Sequence, residues 1–284
     1  MNEQNLDYLK KSLDYLGFDN ALNDVLQSAI SRELPLFSLG LSQSYKPNNT
    51  AKSTAKPADH LSFQLNFNRS KTTDMYFLNT YEVTLARDGK PPVKQVFDYD
   101  KDSRITALQA YRLLSGNAIE KNVMSKAEEG EIAEKKKVWF KLNLDVLDAQ
   151  GNHPLRKFYP EYQFDLSAAI DKYPFKGLDE QKKEDMLRSL KMGARAKGIM
   201  LVNNRDVPVE VTANPQFRGL EVFDKNNVAM RQSDLLPELK TNTEMKDELG
   251  ISETEEISTE EGEERFMWGN SQNAEPEVDH SPGR

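Results

Sequence analysis

The sequence predicts an α+β fold: a mainly antiparallel sheet with short packed helices, organised as two related hairpin–helix–strand modules. Three observations carry this. Leu61, Phe63, Leu65 and Phe67 alternate with Ser62, Gln64 and Asn66, and Val138, Phe140, Leu142, Leu144 and Val146 alternate again, the period of strands with one dry face. Leu6, Leu9, Leu13 and Leu16 instead keep helical spacing. Between Met75 and Asp224 one pattern is written twice, each time a strand pair, a helix and a glycine.

Taken in order, residues 6–30 predict two short helices, the second with Leu22, Val25, Leu26, Ala29 and Ile30 on its apolar side. Gly17 between them suits the left-handed conformation that ends a helix. Leu36 to Gln43 predicts a strand, and Tyr45 to Asp59, rich in Lys, Pro, Asn, Thr, Ser and Ala, a loop. The strand at Leu61 to Phe67 is expected to pair with Leu36 to Gln43 across that loop. Arg69-Ser70-Lys71-Thr72-Thr73 predicts a solvated turn.

The first module runs from Met75-Tyr76-Phe77 to Leu85, turns at Arg87-Asp88-Gly89-Lys90-Pro91-Pro92, and returns over Val93 to Phe97. A helix follows over Ile105 to Leu114, with Thr106 and Gln109 spaced as a capping box, and Gly116 closes it. Asn117 to Val123 reads as a strand. Ser125 to Lys137 is charged and predicts an exposed loop. The second module reads Val138 to Leu147 as one long strand, a turn at Gln150 to Pro154, Leu155 to Tyr159, a helix around Glu180 to Met192, and Gly193. Strands are expected over Ile199 to Val202, Val207 to Ala213 and Leu220 to Phe223, with Pro208 at an edge or strand start because it lacks the ladder donor. Phe77 matches Trp139, and Gly89 matches Gly151, at an offset of 62; Leu113 matches Leu190, and Gly116 matches Gly193, at 77. The 15 extra positions fall around Tyr162 to Gly177. The expected divisions are residues 1–35 (helical), 36–74 (strand pair and loop), 75–136 and 137–232 (the modules), and 233–284, an acidic tail too poor in apolar surface to fold.

Composition narrows the functional classes. The chain has 284 residues, 37% hydrophobic and 30% charged, with no cysteine, which removes disulfides, thiolate metal sites and cysteine nucleophiles. No apolar run reaches the roughly 18 residues of a membrane helix. The first residues lack the basic and apolar blocks of a signal peptide, so a cytoplasmic bacterial protein with no membrane partner is expected. From Thr241 onward thirteen acids face Lys246, Arg265 and Arg284, a charge of −10; the whole chain carries −8, so the body is near +2. Such a balanced body has no field strong enough to predict nucleic-acid binding by charge alone.

No catalytic, cofactor or metal constellation stands out. His60, His153 and His280 are too scattered to share a metal. Phosphate-cradling glycine loops and nucleophile elbows are missing from the sequence. Asp98, Asp100 and Asp102 match the first ligands of a calcium loop, but Ser103 stands where the sharp turn needs Gly and Gln109 where a bidentate Glu is needed, so a polar turn is expected. Two surfaces are candidates for recognition. Lys135, Lys136 and Lys137, with Arg188, Lys191, Arg195 and Lys197, are the candidate nucleic-acid contacts: Arg188 and Lys191 lie one helical turn apart, and Arg195 and Lys197 alternate onto one strand face. Phe266-Met267-Trp268, alone among acids, is the candidate protein-docking motif.

The runs Met75-Tyr76-Phe77-Leu78-Asn79, Ile105-Thr106-Ala107, Leu113-Leu114-Ser115-Gly116-Asn117-Ala118, Leu187-Arg188-Ser189-Leu190-Lys191-Met192-Gly193 and Ala213-Asn214-Pro215-Gln216-Phe217 resemble an uncharacterised family of Bacteroidetes mobile elements, the conjugative transposons and plasmids. The likeness covers roughly residues 1–232. More loosely, the helix–glycine–strand pattern is similar to that of accessory domains beside topoisomerase-like proteins. The resemblance implies a genomic setting and transfers no catalytic residue. The expected function is a non-enzymatic binding or scaffold protein of a mobile element, beside its DNA-processing or transfer machinery, with an unidentified protein partner. The alternatives are a single-stranded nucleic-acid binder, an inhibitor of a host defence factor, and an enzyme with an unrecognised site.

Overall fold

Leu6, Leu9, Leu13 and Leu16 fall on one side of α1 (Glu3–Leu16), and all four are buried. Asn2 caps the helix by accepting from the Asn5 amide at 3.0 Å, and Gly17 ends it at φ +87°. In α2 (Asn23–Ser31) the buried stripe is Leu22, Leu26 and Ile30, while Val25 is half exposed; the predicted five-residue face is narrower than the sequence pattern suggests. The computed structural model describes residues 2–45, 59–124 and 134–235. These residues belong to one compact unit, Met1–Pro237.

Both helices lie against the first sheet, an antiparallel meander of β1 (Leu36–Tyr45), β2 (Asp59–Arg69), β3 (Tyr76–Arg87) and β4 (Lys90–Asp98) in sequence order. The alternation in β2 is realised: Leu61, Phe63, Leu65 and Phe67 are buried in one core with the α1 leucines, with Phe18 edge-on to Phe63 at 5.1 Å. β1 runs to Tyr45, two residues past the predicted end, and Tyr45 stacks on Tyr111 at 4.6 Å. His60 sits within β2. Residues 46–58 of the predicted loop lie outside the described residues.

Helix α3 (Ala107–Leu114) has the capping box its sequence predicts, Gln109 N to Thr106 Oγ1 at 3.3 Å and Thr106 N to Gln109 Oε1 at 3.1 Å. It ends in a pair of bonds, Gly116 N to the Leu113 carbonyl and Asn117 N to that of Arg112. Helix α5 (Glu180–Lys191) ends identically, Gly193 N to Leu190 O and Ala194 N to Ser189 O. Gly116 and Gly193 stand at φ +87° and +79°, the left-handed region such a cap requires. Gly89 and Gly151, in the two hairpin turns, are likewise left-handed, so both sequence offsets mark equivalent backbone. The 15-residue insertion contributes α4 (Leu166–Asp171), capped by Asp165, and the segment around Phe175.

The sheets divide the repeat at a different place from the sequence pattern. β5 (Ile119–Met124), β6 (Lys135–Leu142) and β7 (Leu155–Phe158) form one antiparallel meander; β8 (Ala196–Val202), β9 (Arg205–Asn214) and β10 (Gly219–Phe223) form another. The hairpin–helix–strand order is present twice, but the closed unit is a helix, its glycine, and the three strands that follow. The predicted loop over Lys135, Lys136 and Lys137 is therefore a correction: these residues pair with Met124, Val123 and Asn122 as the start of β6. The long strand predicted to Leu147 is a second. β6 stops at Leu142, Asn143 bonds Pro154, and Val146 and Leu147 are exposed. Nor does β6 have one dry face. Phe140 packs toward the first sheet and α3, while Trp139 packs with Phe164 and the residues under the third sheet, so both are buried.

Pro208 lies inside β9, the central strand, rather than on an edge strand. β10 pairs only with Glu210 to Asn214, so the ladder on that side of β9 has ended before Pro208 and its missing N–H removes no bond there. A short helix α6 (Gln232–Leu235) ends the described chain, with Leu235 buried. Among the described residues no helix is long and apolar enough to cross a membrane.

Candidate functional site: a groove between α5 and β8

Lys182, Asp185, Met186 and Ser189 share one face of α5, spaced three, four and seven residues from the first. That face runs beside β8, an edge strand, and leaves a groove of about 580 Å³. Phe175, Gly177 and Leu178 close one end; Arg195 to Ile199 form the other wall. Gly198 shapes its floor. A Cβ there would stand 2.7 Å from Cε1 of Phe175 and 3.6 Å from the Met186 methyl, so the absent side chain is what lets the aromatic ring lie against the strand. The segment carrying Phe175 holds its place by two backbone bonds to β8, Lys176 N to Ile199 O at 2.8 Å and Leu201 N to Pro174 O at 2.9 Å.

The corresponding place in the first module is closed. At the offset of 77 Gly198 answers to Lys121, which is buried. Its ammonium donates to the Arg104 carbonyl at 3.1 Å and to Gln109 Oε1 at 2.7 Å, filling the space between β5 and the start of α3. Burial lowers its pKa to about 8.

The side chains that line the open groove are mostly basic, with acids paired to them from outside the lining. Lys176, Lys182, Arg195 and Lys197 line it against one acid, Asp185. Each cation also has an acid outside the lining: Lys176 to Asp206 at 2.6 Å, Lys182 to Asp179 at 2.9 Å, and Arg195 and Lys197 to Glu210 at 3.7 and 4.0 Å. Arg195 is held hardest. Its guanidinium lies 3.9 Å from the centre of the Phe223 ring and bonds Asn227, and burial lowers its pKa against the opposing charge of Glu210.

The seven candidate nucleic-acid contacts are dispersed over different elements. Arg195 and Lys197 come together at the groove wall. Arg188 turns back to Asp185 at 3.6 Å, and Lys191 reaches Glu120 at 3.9 Å. Lys136 pairs with Glu161 at 3.0 Å, with Lys135 and Lys137 exposed beside it on β6. Phe266, Met267 and Trp268 lie outside the described residues. Asp98, Asp100 and Asp102 make a turn: Asp98 Oδ1 accepts from the amides of Asp100 and Lys101, and Asp102 Oδ2 from that of Asp98. Ser70 likewise folds the Arg69 to Thr73 turn by accepting from the amides of Thr72 and Thr73.

No family model, curated protein or solved structure matches this chain. The groove therefore stands on its geometry. Phe175, Gly198 and Met186 are the residues that sequence reasoning missed. One signal was available: a glycine within a strand pattern marks close approach of another group. Phe175 gave none, because it lies in the insertion that has no counterpart in the first module.

Proposed function

We propose that this chain is a non-enzymatic binding or scaffold protein of a mobile genetic element, acting beside that element's DNA-processing or transfer machinery. One observation supports the binding half of this reading above the others: a preformed groove, apolar at its floor and basic at its rim, set beside the edge strand of the third sheet. Concave, mostly apolar sites with a few oriented polar groups are where ligands bind. The genomic setting rests on the resemblance in the helix–glycine segments.

Site-specific crosslinking tests it. A photoreactive phenylalanine analogue is placed at Ser189, in the groove wall, and at Asp88, in the β3–β4 turn, in cells carrying the element. The expected result is an adduct with one element-encoded protein from position 189 and none from 88. No adduct at 189, or the same set of adducts from both positions, overturns the reading.

A further inference from the structure

We propose that the groove takes an extended acidic peptide by strand addition to β8. This rests on the binding reading above and supplies its recognition mode and the chemistry of its partner.

The backbone of β8 carries the first argument. N–H and C=O groups of alternate residues point to opposite sides of a strand. Ile199 O and Leu201 N both bond the segment Pro174 to Lys176, so odd-numbered residues of β8 present their polar groups to the outer edge. Lys197 has the same parity. Beyond Lys176 the inserted segment leaves that edge, turning at Gly177, which stands at φ +66°. Outside the β8–β9 ladder, no backbone bond among the described residues reaches the amide of Ile199 or either polar group of Lys197. The ladder begun by residues 174–176 thus stops with donors and an acceptor still facing the groove. An added strand continues it, as edge strands do in peptide recognition.

The second argument concerns side chains. A strand lying there sends alternate residues toward Phe175, Leu178 and Met186, which favours an apolar residue, and the others toward the rim. Lys176, Lys182 and Lys197 are each more than half exposed, and their present acid pairs are of the surface kind, which contributes about 0–1 kcal/mol and exchanges readily. These three exposed lysines, by exchanging those pairs, favour acidic flanks, while Arg195 stays with Phe223 and Asn227. In the first module the equivalent position is Lys121, whose ammonium is bonded to Arg104 and Gln109, whereas at Gly198 the space beside the strand is taken by the Phe175 ring that lines the groove.

The test titrates the full chain against a fluorescein-labelled heptapeptide, EDVFVDE, and follows anisotropy. Three comparisons decide the mode. A peptide N-methylated at its central residue and the Lys197→Pro variant each remove a ladder donor, one from either side, and each is expected to weaken binding at least tenfold. Lys197→Gln keeps the backbone and is expected to lose less than Lys197→Pro. A KKVFVKK peptide is expected to bind at least tenfold more weakly than the acidic one. Gly198→Val, whose side chain displaces Phe175 from the floor, is expected to abolish binding; Ser189→Arg, on the helix wall, serves the same purpose if the valine variant fails to fold by circular dichroism.

Unchanged affinity of the N-methylated peptide and of Lys197→Pro overturns strand addition. Equal binding of the basic peptide overturns the acidic partner. Failure of every peptide, with a groove crosslink still formed at position 189, overturns this inference and leaves the binding reading standing; loss of both removes both. A single-stranded oligonucleotide that binds where the peptide does not overturns the proposal in favour of nucleic acid.

Discussion

Asn117 donates its side-chain amide to the Gly193 carbonyl at 2.9 Å, joining the C-terminal ends of α3 and α5 across 76 residues of sequence. Arg112 makes the neighbouring bond, to the Met192 carbonyl at 2.6 Å. The end of α5 thus takes two side-chain bonds from the end of α3, besides the backbone bonds of its own glycine turn. Replacing Asn117 by Ala leaves a buried carbonyl with no partner from that side. The expected loss is about 1–3 kcal/mol, read in urea as a lower midpoint with unchanged slope.

The two glycine stops are not equally tolerant. Alanine at Gly116 pays only for a left-handed backbone, roughly 1–2 kcal/mol, because its Cβ would meet nothing closer than the Leu144 methyl at 3.7 Å. At Gly193 the same Cβ would stand 2.5 Å from Ile119 Cγ2 and 2.9 Å from the Ala118 carbonyl. Adding overpacking of about 1–3 kcal/mol to the backbone cost gives an expected loss of about 2–5 kcal/mol. Equal midpoints for Gly116→Ala and Gly193→Ala would contradict this packing.

Lys121 makes stability depend on alkaline pH in an unusual direction. Burial lowers its pKa from the ordinary 10.5 to about 8. Between those values the unfolded chain holds the extra proton, so the contribution of this group rises with pH across pH 8 to 10.5 and is smallest below 8, where the folded state must bury a charge. The full swing is about 3 kcal/mol. Lys121→Met is expected to remove that rise. The difference between the two proteins' unfolding free energies, measured at pH 7.5 and 10.5, isolates it from other titrating groups.

Single-stranded DNA is expected to bind weakly. Five of the seven basic candidates already face an acid, namely Lys136, Arg188, Lys191, Arg195 and Lys197. If Lys135 and Lys137 alone contact phosphate, log K against log salt has a slope of about −1.4; engagement of all seven gives about −5. Anisotropy of a labelled oligonucleotide across a salt series distinguishes the two.

What was legible in the sequence was local. The Thr106–Gln109 capping box, the leucine stripe of α1 and the alternation of β2 each depend on residues a few positions apart, and each is realised. The phase of the repeat was not legible, because it depends on which strands pair. β5 joins β6 across residues 125–134, a non-local choice that the hairpin pattern cannot express. Trp139 broke the alternation rule because that rule assumes one wet face, whereas β6 has packed residues on both. Lys135 to Lys137 looked like loop because strands are usually recognised by apolar residues, yet the ladder with β5 needs only their backbones. At the groove, Arg195 and Lys197 were singled out for their charge; the feature that brings them together with Phe175 is a missing side chain at Gly198.

The placement of the sheet boundaries has a consequence for inheritance. A crossover between related genes at codon 137 would hand β5 to one parent and most of β6 to the other, so an inter-strand ladder of six residue pairs would have to be rebuilt from sequences never selected together. Crossovers just before Thr106 or Asp165 would transmit α3 and α5 with the meanders they precede, and the second would keep the Phe175 segment with β8. In a chain assembled from such units, the helix N-caps are the natural seams for shuffling, and a chimera joined there tests them directly.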